Sequence, residues 1–282
     1  MPEPTDPPGG GHRPGVAPRP ATACTPGNDP ASGAARSRLG RVGFESASDV
    51  YERARPDYAE EAVGSLVALA GIVPGSRVLD LAAGTGKLTR RLVARGSRCV
   101  AVEPSASMRE VFTRVVPGVP VVGGTAEQVP LADGSVDAAV VAQAFHWFDP
   151  PAALTEIARV LRPGGTLSLI WNERDGSDPV MAELVRISGW ARHLPYPTGN
   201  DFGLPIDVSG RFGPVTRTRG SFVQTVDRAV FVEQVASRSY VQVLAEPERT
   251  ALLGEVAAFA DTLEEPIPLP YLFDLFTATV LP

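Results

Sequence analysis

A chain of 282 residues with 44% hydrophobic content can bury a sizeable core, in one large domain or two small ones. Its formal net charge of −6 disfavours a nucleic-acid substrate, which would select a basic face. Two cysteines without a C-x-x-C partner and three histidines support neither a disulfide framework nor a zinc site. No apolar run reaches the length of a membrane span and the N-terminus lacks the apolar core of a secretory leader, so a cytoplasmic protein without a metal is expected.

Residues 1–40 are rich in Pro, Gly, Ala and Arg and nearly devoid of large apolar side chains. Such a segment cannot offset its ordering entropy and reads as a disordered tail ahead of one domain over 41–282. From Phe44, Ser48 or Asp49 can cap a short helix carrying Tyr51, Arg53 and Arg55, which Pro56 ends. A second helix then presents Ala62, Val63, Leu66, Val67 and Ala70 on one face until Gly71, and the stretch 44–72 reads as an N-terminal lid.

The stretch from Val78 to Lys87 carries the strongest signal. A short apolar run meets Asp80, small residues make a turn, and a helical pattern of Leu88, Leu92 and Val93 follows at once. This is strand, glycine loop, helix. A second apolar run, Cys99 to Val102, ends in Glu103, 23 residues beyond Asp80, which is the length of one βαβ unit. A carboxylate at the tip of the second strand can accept both hydroxyls of an adenosine ribose, so the pair predicts an adenosine-containing ligand. The loop Gly84-x-Gly86-x-x-Thr89 lacks the third glycine of a dinucleotide loop, and Leu88 and Leu81 stand where a triphosphate loop needs Ser or Thr and Gly. A cofactor without phosphates, the sulfonium S-adenosylmethionine, suits this loop best.

Further strands are expected at 119–122, 136–141 and 166–171, with helices over 105–115 and 151–161 between them. The alternation implies a mostly parallel sheet with ligands at the carboxyl ends of its strands. After Trp171 a helical segment carries Val180, Met181, Leu184, Val185 and Ile187, and a Pro/Gly-interrupted stretch holds Trp190, Tyr196 and Phe202. The region 173–212 reads as a cap over the strand tips that selects an apolar or aromatic substrate. From Val215 to Val226 the chain reads as a strand, followed by helices over 228–241 and 247–263 and a last strand over 268–280.

With these elements in order, the sequence resembles the class I S-adenosylmethionine-dependent methyltransferases, in the small-molecule branch with trans-aconitate methyltransferase-like members. Asp80-Leu-Ala-Ala-Gly84-Thr-Gly86 matches the first motif, with Ala82 where glycine is commonest. Val102-Glu103-Pro104 with Met108 matches the second, and Gly124-Thr125-Ala126-Glu127 before Pro130-Leu131 the third. Gln143-Ala-Phe-His146-Trp147-Phe148 is similar to the segment after strand four, and Arg162-Pro-Gly-Gly165 to the turn before strand five. The resemblance implies a Rossmann-like α/β fold: a seven-stranded sheet, mostly parallel with an antiparallel last strand, flanked by helices. It further implies that Tyr51 and Arg55 of the lid meet the methionine end of the cofactor, Arg55 through its carboxylate. Asp80, Ala82, Gly84, Gly86, Glu103, Pro104, Met108, Thr125, Ala126, Glu127 and Gln143 then complete the cofactor site.

The implied reaction is methyl transfer to a small-molecule acceptor, with S-adenosylhomocysteine as product and a secondary metabolite as an expected substrate. Neither a nucleic-acid nor a membrane partner is expected; in Asp149-Pro150-Pro151-Ala152 the fourth residue cannot stack on a flipped base, so Asp149 reads as a helix cap. His146, near a strand tip, is the candidate base, and Trp147, Trp171 and Trp190 are candidate substrate contacts. Two alternatives stand beside this reading. One is a nicotinamide oxidoreductase on a similar sheet, disfavoured by the missing third glycine; the other is a protein that binds S-adenosylmethionine without methylating.

Overall fold

The computed structural model describes residues 52–189 and 201–282. The expected tail, the proposed cap at Ser48 or Asp49, Tyr51 and Trp190 therefore lie outside the described residues. Residues 52–54 are helical and end ahead of Pro56, as expected; the first helix described whole is α1 (Glu60–Leu69), whose face of Ala62, Val63 and Leu66 is buried as its spacing predicts. Then follow β1 (Arg77–Leu81), α2 (Lys87–Val93), β2 (Arg98–Val102), α3 (Ala106–Val115), β3 (Val121–Val122), β4 (Val136–Ala142), α4 (Pro150–Val160) and β5 (Leu161–Arg174). The C-terminal third adds α5 (Pro179–Ser188), α6 (Leu204–Val208), β6 (Thr216–Val226), α7 (Arg228–Ala236), α8 (Ser239–Gln242), α9 (Glu246–Ala260) and β7 (Ile267–Thr279).

Seven strands form one sheet in the order β3-β2-β1-β4-β5-β7-β6. β1 lies parallel to both β2 and β4, and β7 runs antiparallel between β5 and β6. The strand order reverses between β1 and β4, so a crevice opens at their carboxyl ends. Period-two alternation divides the core. Leu79, Leu81, Ala139, Val141, Leu169 and Trp171 face α4, while Val78, Ala138, Val140 and Ile170 pack with α1 and α2.

Several boundaries differ from expectation. Residues Arg162 to Gly165 lie within β5 as a register irregularity, between the pairs Val136↔Leu161 and Ala138↔Thr166, rather than ahead of it. Gly165 is required there, since a Cβ would stand 2.9 Å from the Arg162 carbonyl oxygen and 3.0 Å from that of Asp137. The helix expected over 228–241 is broken into α7 and α8 at Ser237 and Arg238.

The expected cap over 173–212 divides between two cores. Its first part, α5, buries Met181 and Leu184 in a helical layer with α7 and α9, whereas Phe202, just ahead of α6, and Ile206 of α6 join the sheet core. The β6–β7 ribbon explains this division, because it runs past the end of β5 at Arg174 and leaves Val226, Ile267, Leu269 and Tyr271 to be covered. Most of that cover comes from the β6–β7 connection, which sequence periodicity alone does not assign to a cap. Among the described residues no helix is long and apolar enough to cross a membrane.

Candidate active site

Small residues let the loop after β1 turn back on itself. Ala82, Gly84 and Gly86 all have left-handed backbone, with φ of 57°, 57° and 86°. For Ala82 this costs on the order of 1 kcal/mol, and the amide of Ala82 is held by the Val102 carbonyl at 2.8 Å. The two glycines serve different ends. A Cβ on Gly84 would meet no atom within 4 Å, so open space lies in front of it; a Cβ on Gly86 would approach Val116 to 2.6 Å and Phe112 to 2.8 Å. Gly86 therefore allows α2 to pack against α3 and does not itself line a ligand space, which corrects the expected cofactor contact.

Glu103, at the tip of β2, fixes the loop. Its Oε2 accepts from the Gly84 amide and its Oε1 from the Ser105 amide, both at 2.9 Å. The residue is 6% exposed, and burial raises its carboxyl above the usual range against the pull of those two amides. Asp80 lies behind it on the α2 side of β1 and is fully buried. The Thr89 hydroxyl donates to its Oδ2 at 2.5 Å, while Oδ1 is buried without a hydrogen-bond partner. Burial pushes this carboxyl up to about 7; the Thr89 bond opposes that shift and the Glu103 charge adds to it. Asp80 thus supports the loop from beneath.

A cleft of about 930 Å³, counted with its open mouth, gathers most of the expected residues. Ala82, Gly84, Glu103, Pro104, Met108, Thr125, Ala126, Glu127, Gln143 and Trp147 all line it. Leu81, Ser105, Gly124, Ala142, Ala144 and Phe148 complete it; Leu81, Gly124, Ala144 and Phe148 lie within the motif stretches, but the sequence reading singles out none of the six as a site residue. Gln143 also has left-handed backbone, φ 58°, and its Nε2 donates to the Asn172 carbonyl at 2.9 Å. Glu127 Oε1 accepts from the Asp149 amide at 3.0 Å. Asp149 begins α4 as expected, with prolines in the first turn, but its side chain makes no capping hydrogen bond.

Other expected residues lie elsewhere. Trp171 is fully buried and stacks on Phe202 at 3.7 Å between ring centroids, so it is a core residue and not a substrate contact. His146 is half-buried in a short 3-10 turn, its ring tilted against Trp147 at 4.7 Å, and it is not among the cleft-lining residues. Desolvation lowers its imidazole to about 3, so at neutral pH it is uncharged and a weak proton acceptor, against the expected base role. Arg55 donates to the Ser237 carbonyl at 3.1 Å, on the helical layer and away from the cleft lining.

Lid residue Glu52 reaches the glycine loop, a contact that the sequence reading missed. The Thr85 hydroxyl donates to Glu52 Oε2 at 2.5 Å, Lys87 Nζ to the Glu52 carbonyl at 2.6 Å, and Arg90 pairs with Glu52 Oε1. One signal pointed there: Lys87, the only lysine in the chain, follows a loop that has no phosphate to bind, and a lysine buried to 9% exposure needs an acidic neighbour. Arg53 meanwhile pairs with Glu233 at 3.1 Å, so one short segment bridges the glycine loop and the helical layer.

The cleft fits an adenosyl sulfonium. Glu103 presents a pinned carboxylate, Gly84 leaves room at the wall, Met108, Ala126 and Leu81 supply apolar surface, and no lysine or arginine is among the described lining residues to hold a pyrophosphate. Residues 79–169 match the family described as a methyltransferase domain, and the chain belongs to the class I S-adenosylmethionine-dependent methyltransferases. Among individual relatives, an uncharacterized methyltransferase of Mycobacterium tuberculosis (strain ATCC 25618 / H37Rv) is 43% identical over 219 residues, spanning 76% of this chain and 84% of that protein. A demethylmenaquinone methyltransferase of Mycobacterium sp. (strain KMS) is 46% identical over 98 residues, only 34% of this chain and 42% of that protein. Among solved structures, a candidate type II methyltransferase from Anaeromyxobacter dehalogenans superposes with a TM-score of 0.58 at 25% identity, over 80% of this chain and 97% of that one.

Proposed function

We propose that this methyltransferase alkylates a small-molecule acceptor, such as an intermediate of secondary metabolism, at an atom that needs no protein base. The carrying observation is the Glu103 carboxylate, held at the cleft wall by two backbone amides beside the open face of Gly84. Bound there, S-adenosylmethionine supplies an electrophilic methyl group on a sulfonium. Glu103 would hold the ribose hydroxyls, Met108 and Ala126 would contact the base, and Ala82, Gly84 and Gln143 would hold the methionine end. Trp147 and Phe148 line the same cleft and would shield a bound acceptor from water, so that alignment of the reacting atoms can lower the barrier by roughly 7 kcal/mol or more.

The acceptor's character follows from the described lining residues. His146 is uncharged and weakly basic, and Glu127 and Glu103 already accept backbone amide protons. A carboxylate, a free amine or an electron-rich carbon meets this constraint, whereas an alcohol of ordinary acidity does not. A net charge of −6 also argues against a nucleic-acid acceptor.

Calorimetric titration with S-adenosylmethionine, S-adenosylhomocysteine and NADH is the direct test. Both adenosyl ligands are expected to bind, NADH is not, and Glu103→Ala is expected to weaken both adenosyl ligands at least about tenfold, some 1.4 kcal/mol. Binding of NADH alone would overturn the reading. Transfer of a labelled methyl group to small-molecule fractions, and none to nucleic acid, then tests the acceptor class.

A further inference from the structure

We propose that Glu52 is a positioning residue that neutralises the cationic edge of the glycine loop, so that the cleft accepts the positively charged cofactor in preference to its uncharged product. This rests on the cofactor reading above. S-adenosylmethionine carries one net positive charge at neutral pH, from its sulfonium, while in S-adenosylhomocysteine the amino and carboxylate charges cancel. A wall that binds the first and releases the second must keep its own positive charge low.

The loop carries such charge close by. Thr85 stands between Gly84, which lines the cleft, and Gly86; Lys87 follows, and Arg90 lies one turn further along α2. Glu52 contacts this edge with both carboxylate oxygens: Oε2 accepts from Thr85 at 2.5 Å, while Oε1 pairs with Arg90 and lies 3.8 Å from Lys87 Nζ. Asp57 offsets Arg90 a second time, at 3.3 Å. Lys87 has its charge balanced chiefly by Glu52. Burial disfavours the lysine's charged form and the Glu52 carboxylate opposes that effect without cancelling it, so the lysine's charge depends on Glu52. Glu52 lies outside residues 79–169, the span that matches the methyltransferase domain, and comes from the lid.

Charge balance and structural support separate in one ratio. Loss of mere support weakens both ligands alike; loss of the carboxylate charge acts on the cation alone. Dissociation constants for S-adenosylmethionine and S-adenosylhomocysteine are to be measured for the wild type, Glu52→Gln, Glu52→Asp and Lys87→Gln, near neutral pH at low salt. In Glu52→Gln the ratio of the two constants is expected to shift at least about threefold against S-adenosylmethionine, and added salt should shrink that shift. Glu52→Asp should return the ratio toward wild type, and Lys87→Gln, which removes the cation instead, should move it the opposite way. An unchanged ratio in both Glu52→Gln and Lys87→Gln overturns the proposal while leaving the cofactor assignment standing. Wild-type protein that binds neither ligand overturns both.

Discussion

Asp80 shows how one residue divides between motif and environment. Its place after an apolar strand run marks the glycine loop, yet the alternation of β1 turns its side chain toward Thr89 and away from the cleft. Its carboxyl, raised from 3.8 to about 7, makes folding favour the protonated form. That contribution is full below about pH 3.8 and is lost as pH rises through about 7. Asp80→Asn, which keeps an acceptor for Thr89, should therefore match the wild type in denaturant unfolding near the acid end of this window. Above about pH 7 it should be the more stable protein by at least about 1 kcal/mol. A difference that does not change with pH would refute the assignment. His146 shows the limit of the same reasoning. A histidine near a strand tip reads as a base, and only the packing around its ring removes that role.

At the scale of the element, the loop between β1 and α2 separates two glycines that look alike in the sequence. Both need left-handed backbone, so alanine at either costs on the order of 1 kcal/mol in strain. Gly84→Ala adds a methyl group to open space at the cleft wall and should cost ligand affinity with a small loss of melting temperature. Gly86→Ala drives its methyl into Phe112 and Val116 and should destabilise by about 2–4 kcal/mol in total. Melting curves and calorimetry on the two variants decide this; equal melting temperatures would contradict the packing role given to Gly86. The lid has a similar division, with Glu52 turned to the loop and Arg53 and Arg55 to the helical layer. A guanidinium in the lid reads as a partner for the cofactor carboxylate, but which side chain of adjacent residues faces the loop depends on how the segment crosses the sheet.

For the molecule as a whole, Trp171 is the side chain on which the C-terminal half closes. It stacks on Phe202 and meets Phe276 of β7 edge-on at 6.0 Å, joining β5, the segment before α6 and the antiparallel strand. Trp171→Ala should cost about 3–5 kcal/mol and lower the melting temperature by roughly 10 °C, with ligand affinity in the surviving folded protein nearly unchanged. A tenfold loss of affinity without loss of stability would instead return Trp171 to the substrate site.

The local sequence determined the sheet, the glycine loop and the acidic tip of the second strand, because each is written in short-range pattern: period two in the strands, period 3.6 in the helices, small residues at positive φ. For the same reason ten of the expected site residues, from Ala82 to Trp147, line one cleft. Tertiary structure alone decided which of two adjacent faces a side chain takes and what covers it. Trp171 and His146 read as exposed to substrate until Phe202, far along the chain, and the packing of the 3-10 turn are in place. Glu52 acquires its role only where the lid meets Thr85, Lys87 and Arg90, more than thirty residues further on. Contacts between distant segments depend on how the whole chain packs, and no local pattern encodes them.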